Sequence, residues 1–143
     1  MPSYENPWLV LAAFLSATAA LLHVAIVFGG AKWYQFFGAG EKFVRAAEQG
    51  QVWQHIATLG IAAVLGLWSA YALSGAGVIP RLPLLAWALV TITVIYLLRG
   101  LVVVPMLVFA RTKVTPFILW SSIICLSFGL VHLAGVAKAW PAL

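Results

Sequence analysis

The sequence predicts an all-α integral membrane protein, a four-transmembrane-helix bundle with an interfacial amphipathic segment between helices 1 and 2. Hydrophobic residues make up 64% of the 143-residue chain and charged residues only 8%, which is more apolar surface than a soluble core of this size can bury. The apolar residues fall into four runs of about 20 residues, the length that an α-helix needs to cross a bilayer. These runs use nearly the whole chain, so we expect one membrane domain over residues 1–143.

The first span is predicted over residues 8–28. Asn6 and Pro7 stand before it as an N-cap and a first-turn proline, and Gly29-Gly30 follow as a stop signal. The residues before this run contain no Lys or Arg, which a secretory signal peptide would carry. We therefore expect a retained first helix.

Residues 31–51 interrupt the hydrophobic pattern with charged residues and five aromatic residues. Aromatic and charged side chains together are typical of the headgroup region of a membrane. We expect this segment to lie along the interface, with a bend at Gly38-Ala39-Gly40 and a short amphipathic helix over residues 41–49.

Turn signals separate the remaining spans. The second span is predicted over residues 52–73 and ends at the Gly/Ser-rich stretch 74–77. The third covers residues 84–109, is long enough to tilt, and has Pro105 as a predicted kink. The fourth covers residues 117–137 and completes the bundle.

The basic residues of the predicted loops are distributed unevenly. Five fall on one side of the membrane and two on the other; the five are Lys32, Lys42, Arg45, Arg111 and Lys113, and the two are Arg81 and Lys138. The positive-inside rule places the side with five in the cytoplasm, so both termini are predicted outside it. The basic residues are scattered and form no patch of the kind that binds nucleic acid.

Arg99 is the most informative polar residue of the sequence, because a charge inside a span is costly and marks a functional candidate. It lies about 15 Å along the helix from the nearer end of the third span, so we expect its side chain to point into the bundle. Tyr96, one turn earlier, is predicted to lie beside it. Two interpretations stay open: an internal pin satisfied by backbone carbonyls or by Glu41, and a binding site for a substrate or lipid headgroup.

Three histidines are further candidates. His23 and His55 are predicted at similar depths near the cytoplasmic side, where they could share a site, hold a metal or haem iron, or relay protons. His132 is predicted nearer the outer side. The alternative for each is a histidine that hydrogen-bonds a neighbouring helix or lies in the interface.

The stretch Gly29-Gly30-Ala31-Lys32 and the aromatic segment after it resemble the Gly-x-x-Lys junction of DoxX-like four-helix bacterial membrane proteins. Leu73-Ser74-Gly75 at the end of the second span is also similar in style. The resemblance covers the first half of the chain, and it departs from the family at Arg99 and at the Trp-rich junctions. It implies a small subunit or accessory protein of the bacterial inner membrane, sometimes associated with quinone-linked redox enzymes.

The leading hypothesis is a non-enzymatic inner-membrane protein that binds a lipid-like or quinone-like ligand, or a partner subunit, around Arg99, Tyr96, His23, His55 and Glu41. No motif of a hydrolase, zincin, nucleotide-binding or c-type haem protein occurs, and the sequence names no cofactor.

One alternative is a small-solute or proton-coupled transporter or channel. It would have to be a homo-oligomer, because four helices form only a narrow pore. Its polar path would include Ser16, Ser69, Thr91, Ser122 and His132. A second alternative is a redox subunit with haem or metal at His23 and His55.

Overall fold

The computed structural model describes residues 6–143 and confirms the all-α class. Its helices are α1 (Pro7–Phe36), α2 (Glu41–Glu48), α3 (Trp53–Ala76), α4 (Leu85–Leu101), α5 (Val103–Phe109) and α6 (Pro116–Ala139). Four segments are long and apolar enough to cross a membrane: Pro7–Phe36, Trp53–Ala76, Leu85–Phe109 and Pro116–Ala142. The chain is therefore a multi-pass membrane protein in architecture.

The first helix is longer than predicted. The helical geometry is interrupted at Gly30 (φ 66°, ψ −155°), where the stop signal was predicted, but a further helical segment follows the kink and extends to Phe36. Only glycine adopts this backbone region without strain. Gly29 leaves room for the indole of Trp33, since a Cβ at position 29 would lie 2.0 Å from Trp33 Cγ. The glycine pair therefore redirects the helix.

The amphipathic helix between the first two spans is confirmed as α2. Its charged residues are exposed and Ala46 on the opposite face is buried. The predicted kink in the third span is also present, as the break between α4 and α5 at Val102. Pro105 has no N–H to donate to the carbonyl of Leu101, and its ring crowds that carbonyl. The break follows from this missing bond.

The described chain divides into two compact units, which we call the larger unit (residues 6–16 and 68–143) and the smaller unit (residues 17–67). The larger unit contains the first part of α1, the last part of α3 and all of α4 to α6. All four spans therefore contribute residues to it. The single-domain assignment of the whole chain stays a prediction.

Asn6 joins three helices at one end of the larger unit. Its side chain is completely buried, and its Oδ1 accepts hydrogen bonds from the backbone N–H groups of Trp8 (3.2 Å) and Leu9 (3.4 Å) as an N-cap of α1. Its Nδ2 donates to the Gly135 carbonyl of α6 (2.7 Å), and its backbone N–H donates to the Ala76 carbonyl of α3 (3.3 Å). The start of α1 thus meets the ends of α3 and α6, as an alternating up-and-down order of spans requires.

Helices α4 and α6 approach each other closely at two glycines. A Cβ at Gly100 would lie 2.6–2.7 Å from the backbone N and Cα of Leu126, and one at Gly129 would lie 2.7–2.9 Å from Leu97. Small residues at such crossings let lipid-immersed helices gain van der Waals contact at short range. The α4–α6 pair is therefore a close crossing, and its two helices carry Arg99 and His132.

We expect Gly100→Ala to lower the free energy of unfolding by about 1–3 kcal/mol, because the added methyl group overlaps the Leu126 backbone, which cannot move aside as a side chain can. Gly66→Ala is the matched control, because a Cβ at Gly66 meets nothing within 4 Å. The control should gain up to about 1 kcal/mol from helix propensity. Thermal unfolding in detergent micelles, followed by circular dichroism, measures both; equal effects would contradict a tight crossing at Gly100.

Candidate membrane-embedded binding site

Arg99 lies on α4 and reaches the neighbouring helix α6. Its Nη2 donates to Ser121 Oγ (3.1 Å) and its Nη1 to Ser122 Oγ (3.4 Å). The Ser121 hydroxyl donates its own proton to the Ile118 carbonyl (3.2 Å), so its oxygen is an acceptor for the guanidinium. The prediction that Arg99 points into the bundle is wrong, because the residue is exposed on the helix surface.

The surface around Arg99 is apolar. Ile95, Leu98 and Val102 occupy the same side of α4 and are 42%, 64% and 41% exposed, as residues three or four apart on one helix share a face. Cys125, the only cysteine of the chain, is partly buried one helical turn beyond Ser121. The site is thus a single cation, two hydroxyl groups and an aliphatic surround.

Tyr96 faces the core of the larger unit rather than Arg99. It is 5% exposed, its hydroxyl lies 3.0 Å from Ser16 Oγ, and its ring contacts the rings of Trp68, Phe128 and His132 at centroid distances of 5.0, 5.5 and 5.1 Å. Tyr96 and Arg99, predicted as neighbours in one site, therefore have different partners.

His132 is completely buried in the same core. Its Nδ1 lies 3.0 Å from the Phe128 carbonyl one turn earlier on α6. Its Nε2 is buried and has no hydrogen-bond partner among the described residues. The sequence singled out this histidine for its position in the span, and the structure adds the unpaired nitrogen.

The remaining three predicted residues lie in the smaller unit and have three separate partners. His23 Nδ1 lies 2.7 Å from the Ala19 carbonyl of its own helix. Glu41 forms an exposed ion pair with Arg45 across one turn of α2 (3.1 Å). His55 Nδ1 lies 3.1 Å from the Tyr34 hydroxyl.

Tyr34 was not singled out from the sequence, yet it organises the polar groups of the smaller unit. It is completely buried, and its hydroxyl also lies 3.1 Å from Thr58 Oγ1, which in turn donates to the Gln54 carbonyl (2.8 Å). The chain His55–Tyr34–Thr58 fixes the end of α1 against the start of α3. The signal for it was the run of Gln54, His55 and Thr58 at the start of an otherwise apolar helix.

A metal centre would need several ligands close together. Within residues 6–143, no three His, Cys, Asp or Glu side chains are placed to hold one ion. The structure therefore adds no support to the redox interpretation at His23 and His55.

Comparison with protein-family models, with curated proteins and with solved structures finds no match. The DoxX-like resemblance accordingly stays a prediction.

Tyr34→Phe tests the polar chain of the smaller unit. The substitution leaves His55 Nδ1 without its hydroxyl partner, so we expect a loss of about 1–3 kcal/mol in the free energy of unfolding and faster hydrogen exchange at the start of α3. Tyr71→Phe is the control, because the Tyr71 hydroxyl makes a single bond to the Pro83 carbonyl (3.2 Å) at an exposed site. If the two variants exchange alike around residues 53–58, Tyr34 does not have this role.

Proposed function

We propose that this protein is a non-enzymatic membrane protein that binds a lipid-like or quinone-like ligand inside the bilayer, with Arg99 as the polar anchor. The observation that carries this proposal is the position of the guanidinium, which is exposed on the surface of a membrane-spanning helix with two neutral hydroxyl groups as its hydrogen-bond partners.

Arg99 lies near the middle of its span, Leu85–Phe109. The residue lies ten positions before Phe109, the end of the third span, or about 15 Å along a helix. An arginine at the centre of a transmembrane helix costs about 2.5–3.5 kcal/mol on insertion scales. The cost falls when the charge meets an anion or a strong oxygen acceptor.

The serine hydroxyl groups satisfy only part of the hydrogen-bonding capacity of Arg99. A guanidinium has five N–H donors, and the two bonds to Ser121 and Ser122 engage two of them. The other three donors and the charge are available to a ligand oxygen. A carbonyl, carboxylate or phosphate group on an amphipathic molecule has this chemistry, and the fixed fork of the guanidinium suits two such oxygens at once.

The apolar surround of Arg99 fits the remainder of such a ligand. Ile95, Leu98 and Val102 are exposed beside the guanidinium, so an acyl or isoprenoid chain can lie along α4 while its head group reaches Arg99. This division, with an apolar surface and a few placed polar groups, is typical of small-molecule sites. A head group that enters the hydrocarbon, such as a quinone, suits the depth of Arg99 better than a phosphate that stays at the interface.

The bacterial inner membrane is the proposed location, with both termini outside the cytoplasm. The DoxX-like resemblance and the five-to-two distribution of basic residues support this assignment. The proposed ligand class is also consistent with an accessory role beside quinone-linked enzymes.

Arg99→Gln tests the anchor. In nanodiscs of phosphatidylcholine, we expect the affinity for a short-chain ubiquinone analogue to fall about 10- to 100-fold, because a hydrogen bond to a charged group contributes roughly 1.5–3 kcal/mol. Arg111→Gln removes the same charge from an exposed site in the turn Arg111–Lys113 and is the control. Isothermal titration measures both variants, and Ser121→Ala should lose less affinity than Arg99→Gln.

The same titration with a phosphatidylglycerol-containing nanodisc separates a quinone from an anionic lipid, because only a lipid ligand would compete with the analogue. Equal affinities of wild-type protein and Arg99→Gln for both probes would contradict the proposal. If a partner subunit co-purifies with wild-type protein and prevents both probes from binding, the group that binds Arg99 is a carboxylate of that subunit and not a lipid or quinone.

A further inference from the structure

The larger unit contains a second polar centre that is separate from Arg99 and lies in its core. It consists of Ser16 on α1, Tyr96 on α4 and His132 on α6, whose side chains are 0%, 5% and 0% exposed. Buried polar side chains inside a span are expensive and are expected to be fully hydrogen-bonded. At this centre, one hydrogen-bond acceptor and one hydrogen-bond donor are left without a partner among the described residues.

The histidine has one acceptor too many. Its Nδ1 lies 3.0 Å from the Phe128 carbonyl, and because a carbonyl can only accept, the neutral ring has its proton on Nδ1. Nε2 is then a bare lone pair, and no donor of the described chain lies within hydrogen-bond distance of it. An orphaned buried acceptor is unfavourable, because it has lost its hydrogen bonds to water without gaining a partner in the protein.

The hydroxyl pair has one donor too many. Ser16 and Tyr96 share a single hydrogen bond of 3.0 Å, in which either oxygen can be the donor. Two hydroxyl groups carry two protons, and one shared bond uses only one of them. Whichever group donates, the other retains a proton for which the core supplies no further acceptor among the bonds of these two residues.

The surplus donor and the surplus acceptor lie in the same cluster. The rings of Tyr96 and His132 are 5.1 Å apart between centroids, yet the tyrosine hydroxyl does not reach Nε2 directly. A single molecule that accepts one hydrogen bond and donates another would complete both groups. Water is the smallest molecule with this chemistry, and buried waters typically bridge otherwise unsatisfied groups in this way.

We propose that His132 Nε2 and the Ser16–Tyr96 hydroxyl pair form an internal water site in the core of the larger unit. The water accepts the spare hydroxyl proton of the pair and donates to Nε2. The result is a continuous hydrogen-bonded relay from α1 and α4 through the water to His132 and the Phe128 carbonyl of α6. This site is independent of the ligand proposed at Arg99.

Solid-state NMR of ¹⁵N-histidine-labelled protein in lipid bilayers tests the site. The chain has three histidines, so His23→Gln and His55→Gln assign the spectrum. We expect His132 to be neutral with its proton on Nδ1, and magnetisation from water protons to reach its Nε2. His23 is an internal reference, because its Nδ1 makes the same one-turn bond, 2.7 Å to Ala19, while its ring is only partly buried.

Two variants make the result specific. The double substitution Ser16→Ala/Tyr96→Phe removes both hydroxyl groups, and the water signal at Nε2 should fall to background. Thr93→Val is the control: Thr93 is also buried and lies one turn from Tyr96, but its hydroxyl donates to Leu89 of its own helix (2.7 Å), so the water signal should persist. An unchanged Nδ1–H signal of His132, together with retained helical content by circular dichroism, confirms that the larger unit folds in each variant.

Three results would overturn the proposal. They are a proton on Nε2, an Nε2 that receives no magnetisation from water in the wild-type protein, and a water signal that survives the double substitution. An Nε2 that is hydrogen-bonded but receives nothing from water would assign the site to the hydroxyl of a bound ligand.

Discussion

The structure depends on one constraint: inside a membrane-spanning segment, hydrocarbon supplies no hydrogen-bond partner, so each polar group must find one within the protein. Most polar side chains of the larger unit find a hydrogen-bond partner on their own helix or on a neighbouring helix. Asn6 caps α1 and binds the Gly135 carbonyl, while Ser69 donates to the Ala13 carbonyl (2.8 Å). Because these bonds have no competing water, they fix which helix ends meet, and the glycine crossings of α4 and α6 then set how closely the helices approach.

Arg99 and His132 are the two places in the larger unit where this constraint is partly unmet; in the smaller unit, the buried Oε1 of Gln54 also has no partner among the described residues. Arg99 carries a full charge on the exposed side of α4, and its hydrogen-bond partners are two neutral hydroxyl groups. His132 has a bare nitrogen in a sealed core. The two residues call for opposite chemistry, an oxygen acceptor from the bilayer at Arg99 and a donor such as water at His132. That contrast is why we assign them to separate sites.

The sequence predicted the elements well because each span can be recognised from its own run of apolar residues. Asn6, Pro7 and Pro105 act through local backbone chemistry, and their roles were predicted correctly. Gly29-Gly30 interrupts the first helix as predicted, but the helical segment that follows it to Phe36 was not predicted, because a glycine pair that stops a helix and one that kinks it have the same sequence.

Side-chain direction was the part that the sequence could not supply. The spans are apolar on all sides, so no periodicity separates the core face from the lipid face. Tyr96 and Arg99 differ by only about 60° around α4, yet one is buried and the other exposed. The role of Tyr34 was hidden for a related reason, because its partner His55 lies 21 residues away in the chain. Ser16 was predicted only as part of a polar path, and its pairing with Tyr96, 80 residues away, could not be predicted.

We propose that Arg99 holds an amphipathic molecule from the membrane itself. Native mass spectrometry of wild-type protein and Arg99→Gln, extracted from the same cells without added lipid or quinone, tests it most directly. We expect wild-type protein to retain a molecule of lipid or quinone mass and Arg99→Gln to lose it while keeping its helical content. Two variants that carry the same adduct, or none at all, would contradict it.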